Sequence, residues 1–237
     1  MRVRKSALLP LLMALMGLAL RPMLAQSVQP LIAEYVEHAS GSFQVTNSSL
    51  VAMAVILEPK SFSINPDGTG VFRPLDKGIH LQLSTTSVRL EPRESATIFY
   101  KASADVAPAW MSVYSSFTRL VPTPGLNVKI MLPHTIYLYQ KEGLSRDAIV
   151  VHSVEYDAVK HRIRCDLKNE SAGAGRAESV EAKGDRASAS DSGFPLLPFE
   201  SRILSIAWDS PRPPKTLELE FARFTLKLEV TEMKALP

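Results

Sequence analysis

Apolar and polar residues alternate along much of this chain with a period of two. In residues 125–144, GLNVKIMLPHTIYLYQKEGL, every even position from Leu126 to Leu138 is apolar except His134. This alternation predicts a β-strand with one apolar face. The pattern leaves open which core that face serves, the protein's own interior or that of another protein.

Six further runs in the first half of the chain predict strands by the same criteria. They occupy residues 31–36, 42–47, 52–59, 86–92, 96–102 and 110–117. Turn signals such as Asn-Ser, Pro-Asp-Gly and Pro-Gly separate the runs. Seven short strands at this spacing are typical of a β-sandwich.

The second half repeats the pattern after a joint at residues 141–147. Its predicted strands are residues 149–157, 161–169, 202–209 and 217–230. Residues 171–193 are small, polar and rich in Ala, Gly and Ser, which predicts a flexible surface excursion. No amphipathic pattern of helical length follows residue 25, so the fold class is predicted to be all-β, with two sandwich domains.

Residues 1–25 have the three parts of a secretory signal peptide. Three basic residues lie within the first five positions, residues 6–20 are mostly apolar, and a small-residue cleavage site ends at Ala25. The apolar run is shorter than the roughly 20 residues of a spanning helix, although an uncleaved anchor stays open as the alternative. The predicted parts are therefore a signal peptide, a first domain at 26–142 and a second domain at 143–237.

The charge balance does not indicate a nucleic-acid partner. The chain has 27 basic and 24 acidic residues and a net charge of +3. Cleavage after residue 25 removes four basic residues and no acidic ones, leaving 23 basic against 24 acidic residues and a net charge of −1. Nucleic-acid binding needs clustered Lys and Arg. The single Cys165 excludes an intramolecular disulfide, and its alternation with Ile163 and Leu167 predicts a buried free thiol.

The sequence contains no recognisable catalytic or metal-binding motif. The five histidines fall in separate predicted elements without the spacing of metal ligands, and no nucleophile or phosphate-loop motif is present. We therefore predict a protein that is not an enzyme and has no cofactor, no metal site and no catalytic residue. The sequons that begin at Asn47 and Asn169 matter only in a eukaryotic secretory route.

Several segments resemble, in order, those of one protein family. Residues 41–49 resemble its second strand with a Thr-Asn turn, and residues 83–102 resemble its P-x-x-x-x-L-x-P-x-x-x-x-x-x-R core without the first proline and the final arginine. The other matching segments are residues 52–64, 109–117, 126–139 and 193–208. Together they resemble the periplasmic pilus-assembly chaperones, which are boomerang-shaped pairs of immunoglobulin-like domains.

This resemblance implies a function in the periplasm by donor-strand complementation, a form of β-strand addition in which the seventh strand lends apolar side chains to a pilin. It places the donor residues at Val128, Ile130 and Leu132, with Leu126 as a fourth. It also implies pilin-like secreted subunits as partners and an outer-membrane usher. The alternative is that these residues face the protein's own sandwich; Met131 and Pro133, on the opposite face of the strand, would supply the inward packing if the donors face a partner.

One feature of the family is missing. Family members bind the subunit's C-terminal carboxylate with an arginine on the first strand and a lysine on the seventh, but residues 27–59 contain no Arg or Lys and Tyr137 stands at the lysine position. Lys129 and Lys141 are candidate anion contacts, with solvated strand-edge lysines as the alternative. A chaperone-like structural or adhesive surface component is therefore the alternative function, and self-capping of the donor strand by dimerisation is left open.

Overall fold

The computed structural model describes residues 26–121 and 128–232, whose regular elements are all β-strands except for one 3-10 turn at Arg146–Ala148. The strands of the first half are β1 Ser27–Gln29, β2 Ile32–Val36, β3 Ala39–Thr46, β4 Met53–Ile64, β5 Gly70–Pro74, β6 Ile79–Leu83, β7 Ser87–Leu90, β8 Ser95–Ala104, β9 Ala109–Arg119 and β10 Ile130–Tyr139. Those of the second half are β11 Ile149–Asp157, β12 Arg162–Asn169, β13 Gly175–Lys183, β14 Ser188–Leu196, β15 Ser201–Ala207, β16 Thr216–Phe221, β17 Phe224–Glu229 and β18 Thr231–Glu232. The prediction of an all-β chain is confirmed.

The first half is a sandwich of two sheets, with strand orders β1-β3-β8-β6 and β2-β10-β9-β4-β5; β7 pairs with β4. The chain changes sheets near its start: β1 pairs antiparallel with β3, and β2 pairs parallel with β10. The crossing falls at Pro30, and the Gln29–Pro30 peptide is cis. This crossing leaves β10 only partly paired along one edge.

Alternating residues of both sheets fill the first core. The fully buried side chains include Phe43, Leu90, Ile98, Met111, Phe117, Ile136 and Leu138. Burying a side chain of this size contributes about 1.5–3 kcal/mol before entropic costs. The core is therefore a closed immunoglobulin-like interior that includes the even-numbered positions of β10.

The second half is a separate sandwich with strand orders β15-β12-β11-β18 and β14-β13-β16-β17. Its core packs around Trp208, Ile163 and Leu167. Cys165 is fully buried as predicted, and burial raises the pKa of its thiol to about 12. The thiol is therefore protonated at neutral pH and unreactive.

The prediction for residues 171–193 is wrong, because most of this segment forms β13 and the beginning of β14. Ala177, Val180 and Ala182 are fully buried in the second core. Residues 217–230 also differ from the prediction: they form two strands, β16 and β17, rather than one. β1, β5 and β6 were not predicted as strands.

The two sandwiches touch through a small apolar cluster made of Phe62, Tyr137, Ala174 and Leu197. Hydrogen bonds surround it. The Gln140 side-chain amide both donates to and accepts from the Ala174 backbone, and the Ile203 N–H donates to the Pro66 carbonyl over 2.7 Å. One end of the sheet that holds β10 is therefore covered by the second domain.

Within the described ranges, no helix has the length and hydrophobicity needed to cross a bilayer. In the same part of the chain, no three His, Cys, Asp or Glu side chains come together as a group that could hold a metal ion.

Candidate functional site

The site predicted from the sequence lies on β10, whose two edges are paired unequally. Along one edge, β9 pairs with β10 from Ile130 to Leu138. Along the other edge, β2 pairs only with residues 135–139. Among the described residues, the edge before Thr135 thus has no strand partner.

Backbone geometry determines which groups this free edge presents. The Thr135 N–H donates to the Leu31 carbonyl, so residue 135 points its backbone groups away from β9. Backbone groups alternate between the two sides of a strand. Met131 therefore presents its N–H and C=O on the free edge. Pro133 presents its C=O there, and its missing N–H costs no hydrogen bond to β9 because the backbone groups of residue 133 point away from β9.

The predicted donor residues lie at or beside this edge. Val128 is 52% exposed, just ahead of β10. Ile130 and Leu132 are half-buried and pack against the first core from its open side. Leu126 lies outside the described residues.

The suggestion that the odd-numbered face of β10 supplies the inward packing is wrong. Ile136 and Leu138 on the even face are fully buried in the first core, whereas Met131 on the odd face is 40% exposed. The reason is the register with β9, which places Ile136 opposite Met111 on the inner face of the sheet. The apolar stripe thus serves the protein's own core completely at one end and only partly near the free edge.

An apolar patch adjoins the free edge on the outer face of the same sheet. Ile56, Ser116 and Met131 lie side by side across three strands, and Ile56 is 56% exposed. Phe72 is exposed next to them and contacts the Tyr114 ring edge-on at 5.1 Å. The free edge is therefore bordered by exposed apolar side chains that no described residue covers fully.

Tyr137, the residue that the sequence comparison sets at the lysine position of the clamp, lies in a network between the domains. Tyr137 is buried in the cluster between the domains, and burial raises the pKa of its hydroxyl to about 12. Its register partner on β2 is Glu34, which accepts a hydrogen bond from the Tyr139 hydroxyl at 2.7 Å. Arg176 of the second domain lies 3.8 Å from the same carboxylate. An acidic group thus lies opposite Tyr137 in the sheet.

A cavity of roughly 350 Å³ opens between the domains beside this network. Its charged lining residues are Glu34, Glu178, Arg176 and Arg223. Two acidic and two basic side chains balance each other, so the cavity has no net charge to attract an anion.

Neither of the two candidate anion contacts lines this cavity. Lys129 is exposed at the start of the free edge. Lys141 forms an exposed ion pair with Glu37 at 3.6 Å. The structure does not bring these lysines together with Tyr137 on β10. Glu34 and Arg176 were missed at the sequence level; Glu34 would have been found by placing residues 32–36 in register with β10.

Comparison with known proteins identifies the fold. No protein-family model matches the sequence, and no curated protein matches it. Solved structures do match: the YadV chaperone (9% identity, TM-score 0.51, covering 86% of this chain and 96% of that one), a chain of the Salmonella enterica SafA pilin–SafB chaperone complex (11%, 0.53, 89% and 98%), and the E. coli chaperone DraB (12%, 0.50, 87% and 95%). This chain therefore has the two-domain immunoglobulin-like fold of the pilus chaperones.

Proposed function

We propose that this protein is a divergent periplasmic pilus-type chaperone that stabilises a secreted, pilin-like subunit by adding β10 to the subunit's incomplete sheet. The observation that carries the proposal is the free edge of β10 beside half-buried Ile130 and Leu132. Strand addition uses these features, since backbone groups supply affinity and alternate side chains supply specificity. Export through residues 1–25 and delivery to an outer-membrane usher belong to the same proposal.

The free edge offers a client strand both backbone and apolar contacts. A client strand gains the backbone groups of Met131 and the Pro133 carbonyl, each hydrogen bond contributing about 0.5–1.5 kcal/mol net. Full burial of Val128 adds about 1.5–3 kcal/mol, and completing the burial of Ile130 and Leu132 adds less because both are already half-buried. The exposed patch at Ile56 and Phe72 extends the apolar contact beyond the edge.

The test is co-expression with a small subunit that is encoded beside this gene and lacks its last strand. We expect a complex to be recovered with the wild type and lost with Val128→Asp, because Val128 is exposed and a charge there does not disturb the core. Met131→Pro removes the outward N–H and is expected to weaken the complex as well.

Val159→Asp is the matched control, since Val159 is 91% exposed on the second domain. It is expected to leave subunit recovery unchanged. If Val128→Asp and Met131→Pro retain full subunit recovery while both fold, β10 is not the donor. The occupied clamp position then favours the second candidate, a structural or adhesive surface component.

A further inference from the structure

His134 is the one polar side chain in the apolar stripe of β10, and it is fully buried. Its Nδ1 lies 2.7 Å from the Pro30 carbonyl oxygen, so the neutral ring donates a hydrogen bond from Nδ1. Its Nε2 is also buried and has no hydrogen-bond partner among the described residues. The ring is thus held on one side only.

The surroundings of the ring offer no acceptor for a second proton. It stacks on Phe43 of β3 at 4.5 Å, and Val113 is its register partner on β9. The titratable groups nearby are Tyr100 of β8, 5.3 Å away between ring centroids, and Tyr35 of β2, whose hydroxyl lies 2.9 Å from that of Tyr100. Burial raises the pKa of Tyr100, so its hydroxyl stays protonated.

No carboxylate of the described chain contributes to the titration of His134. Burial lowers the pKa of its ring from the ordinary value of 6.5, and the Pro30 hydrogen bond opposes this only in part. A proton on Nε2 would place an unpaired charge in an apolar core, which is strongly unfavourable. The folded first domain therefore requires the neutral ring.

The hydrogen bond between His134 and Pro30 connects the two parts of the fold that determine where the free edge of β10 ends. Pro30 is the corner at which the chain leaves the sheet of β1 and enters the sheet of β2. His134 is the last residue of β10 before the segment that β2 covers. This contact therefore joins the corner to the adjoining part of β10.

We propose that His134 is a proton-sensitive latch: its protonation opens the Pro30 corner and so weakens the hold of β10 on a bound strand in acid. This deepens the proposed function and rests on it for the bound strand. The open form binds a proton that the closed form excludes. The closed form therefore has its full stability above about pH 6.5. Below that value the equilibrium constant for opening rises up to tenfold for each pH unit, until the pH reaches the pKa of His134 in the folded state.

The test is amide hydrogen exchange on the purified protein without any client, at pH 7.5 and pH 5.0 and corrected for intrinsic exchange rates. In the wild type, we expect opening of β1, β2 and β10 to increase at pH 5.0, by up to about thirtyfold for the 1.5 pH units below 6.5, and opening of β11 and β12 to change little. In His134→Leu, which completes the apolar stripe, and in His134→Gln, the increase is expected to disappear. His152→Gln, an exposed histidine of the second domain, is the control and should behave as the wild type.

Equal increases in the wild type and in a folded His134 variant overturn the latch. An NMR titration of the wild-type ring gives a second criterion, independent of variant folding: a His134 ring that titrates near pH 6.5 without any change in exchange also overturns it. Subunit capture at the two pH values is measured separately. Absence of capture at both values would refute the proposed function and leave the exchange result standing.

Discussion

Asn47 and Asn169 hold corresponding loops in the two sandwiches, and both are fully buried. Each side-chain Oδ1 accepts hydrogen bonds from the N–H and hydroxyl of the serine two residues later. Each Nδ2 donates to the carbonyl four residues later and to a more distant loop or strand end. The Asn-x-Ser sequence that resembles a glycosylation sequon is therefore a repeated structural anchor, since neither amide is free to be modified.

Two buried serines on β9 make opposite contributions to stability. Ser115 Oγ is buried without a hydrogen-bond partner, whereas Ser112 Oγ bonds the Thr135 hydroxyl at 2.7 Å. An unsatisfied buried polar group costs about 1–3 kcal/mol. We expect Ser115→Ala to raise the free energy of unfolding by about 1 kcal/mol and Ser112→Ala to lower it, in urea denaturation followed by circular dichroism. A loss of stability in Ser115→Ala would show that its hydroxyl has a partner, such as a bound water.

At the scale of elements, the segment from residue 171 to residue 193 contains a strand that stabilises the second core. Val180 is buried between the two sheets, so Val180→Ala is expected to cost about 1–3 kcal/mol through lost burial and a residual cavity. Val159→Ala, at a 91% exposed position, is the matched control with an expected change near zero. The measurement is the urea midpoint of both variants at unchanged slope. Equal midpoints would contradict the structural role of β13.

Strand prediction worked where alternation was strong and failed where side chains were small. The boundaries of β11 were predicted to the residue because Ile, Val and Tyr alternate there with polar residues. β13 was missed because Ala177 and Ala182 bury little apolar area and leave a weak pattern. The β16–β17 hairpin turns at Ala222 and Arg223, which carry no turn signal in the sequence.

The candidate site was predictable only in part for a different reason. Alternation along residues 126–138 identified the apolar stripe, but the extent of the free edge depends on where β2 stops pairing with β10. That limit is set by the crossing at Pro30, a contact between residues about one hundred positions apart in sequence. The surroundings of Glu34 could not be predicted for the same reason, since Arg176, which lies beside its carboxylate, belongs to the other domain.

At the scale of the whole molecule, two of the contacts between the domains differ in character. One is the apolar cluster around Tyr137. The other is the turn between β4 and β5, where Gly68 has a φ of 92° and lies against the Arg202 side chain of β15. A Cβ at Gly68 would displace that guanidinium, and the positive φ is a conformation that favours glycine at this turn. Both contacts involve the sheet that contains β10, which sets the position of the free edge relative to the second domain.

The charges between the domains determine how the protein would recognise the C-terminus of a client chain. A cationic clamp would make binding depend on a free carboxylate and weaken it in salt. Here Glu34 lies opposite Tyr137, and the cavity beside it is lined by two acidic and two basic side chains. The affinity for a strand held by backbone hydrogen bonds and apolar side chains depends little on a free carboxylate or on the salt concentration.

We therefore expect that amidating the C-terminus of a peptide from the client's last strand changes its affinity less than threefold, below about 0.7 kcal/mol, at both low and high salt. Isothermal titration calorimetry with paired acid and amide peptides measures this. Glu34→Lys places a cation opposite Tyr137 and is expected to create a preference for the acid peptide, because the new positive charge on the strand beside β10 attracts a carboxylate. A tenfold preference of the wild type for the acid, lost in Lys129→Ala or Lys141→Ala, would instead place the carboxylate contact on the lysines of the β10 segment.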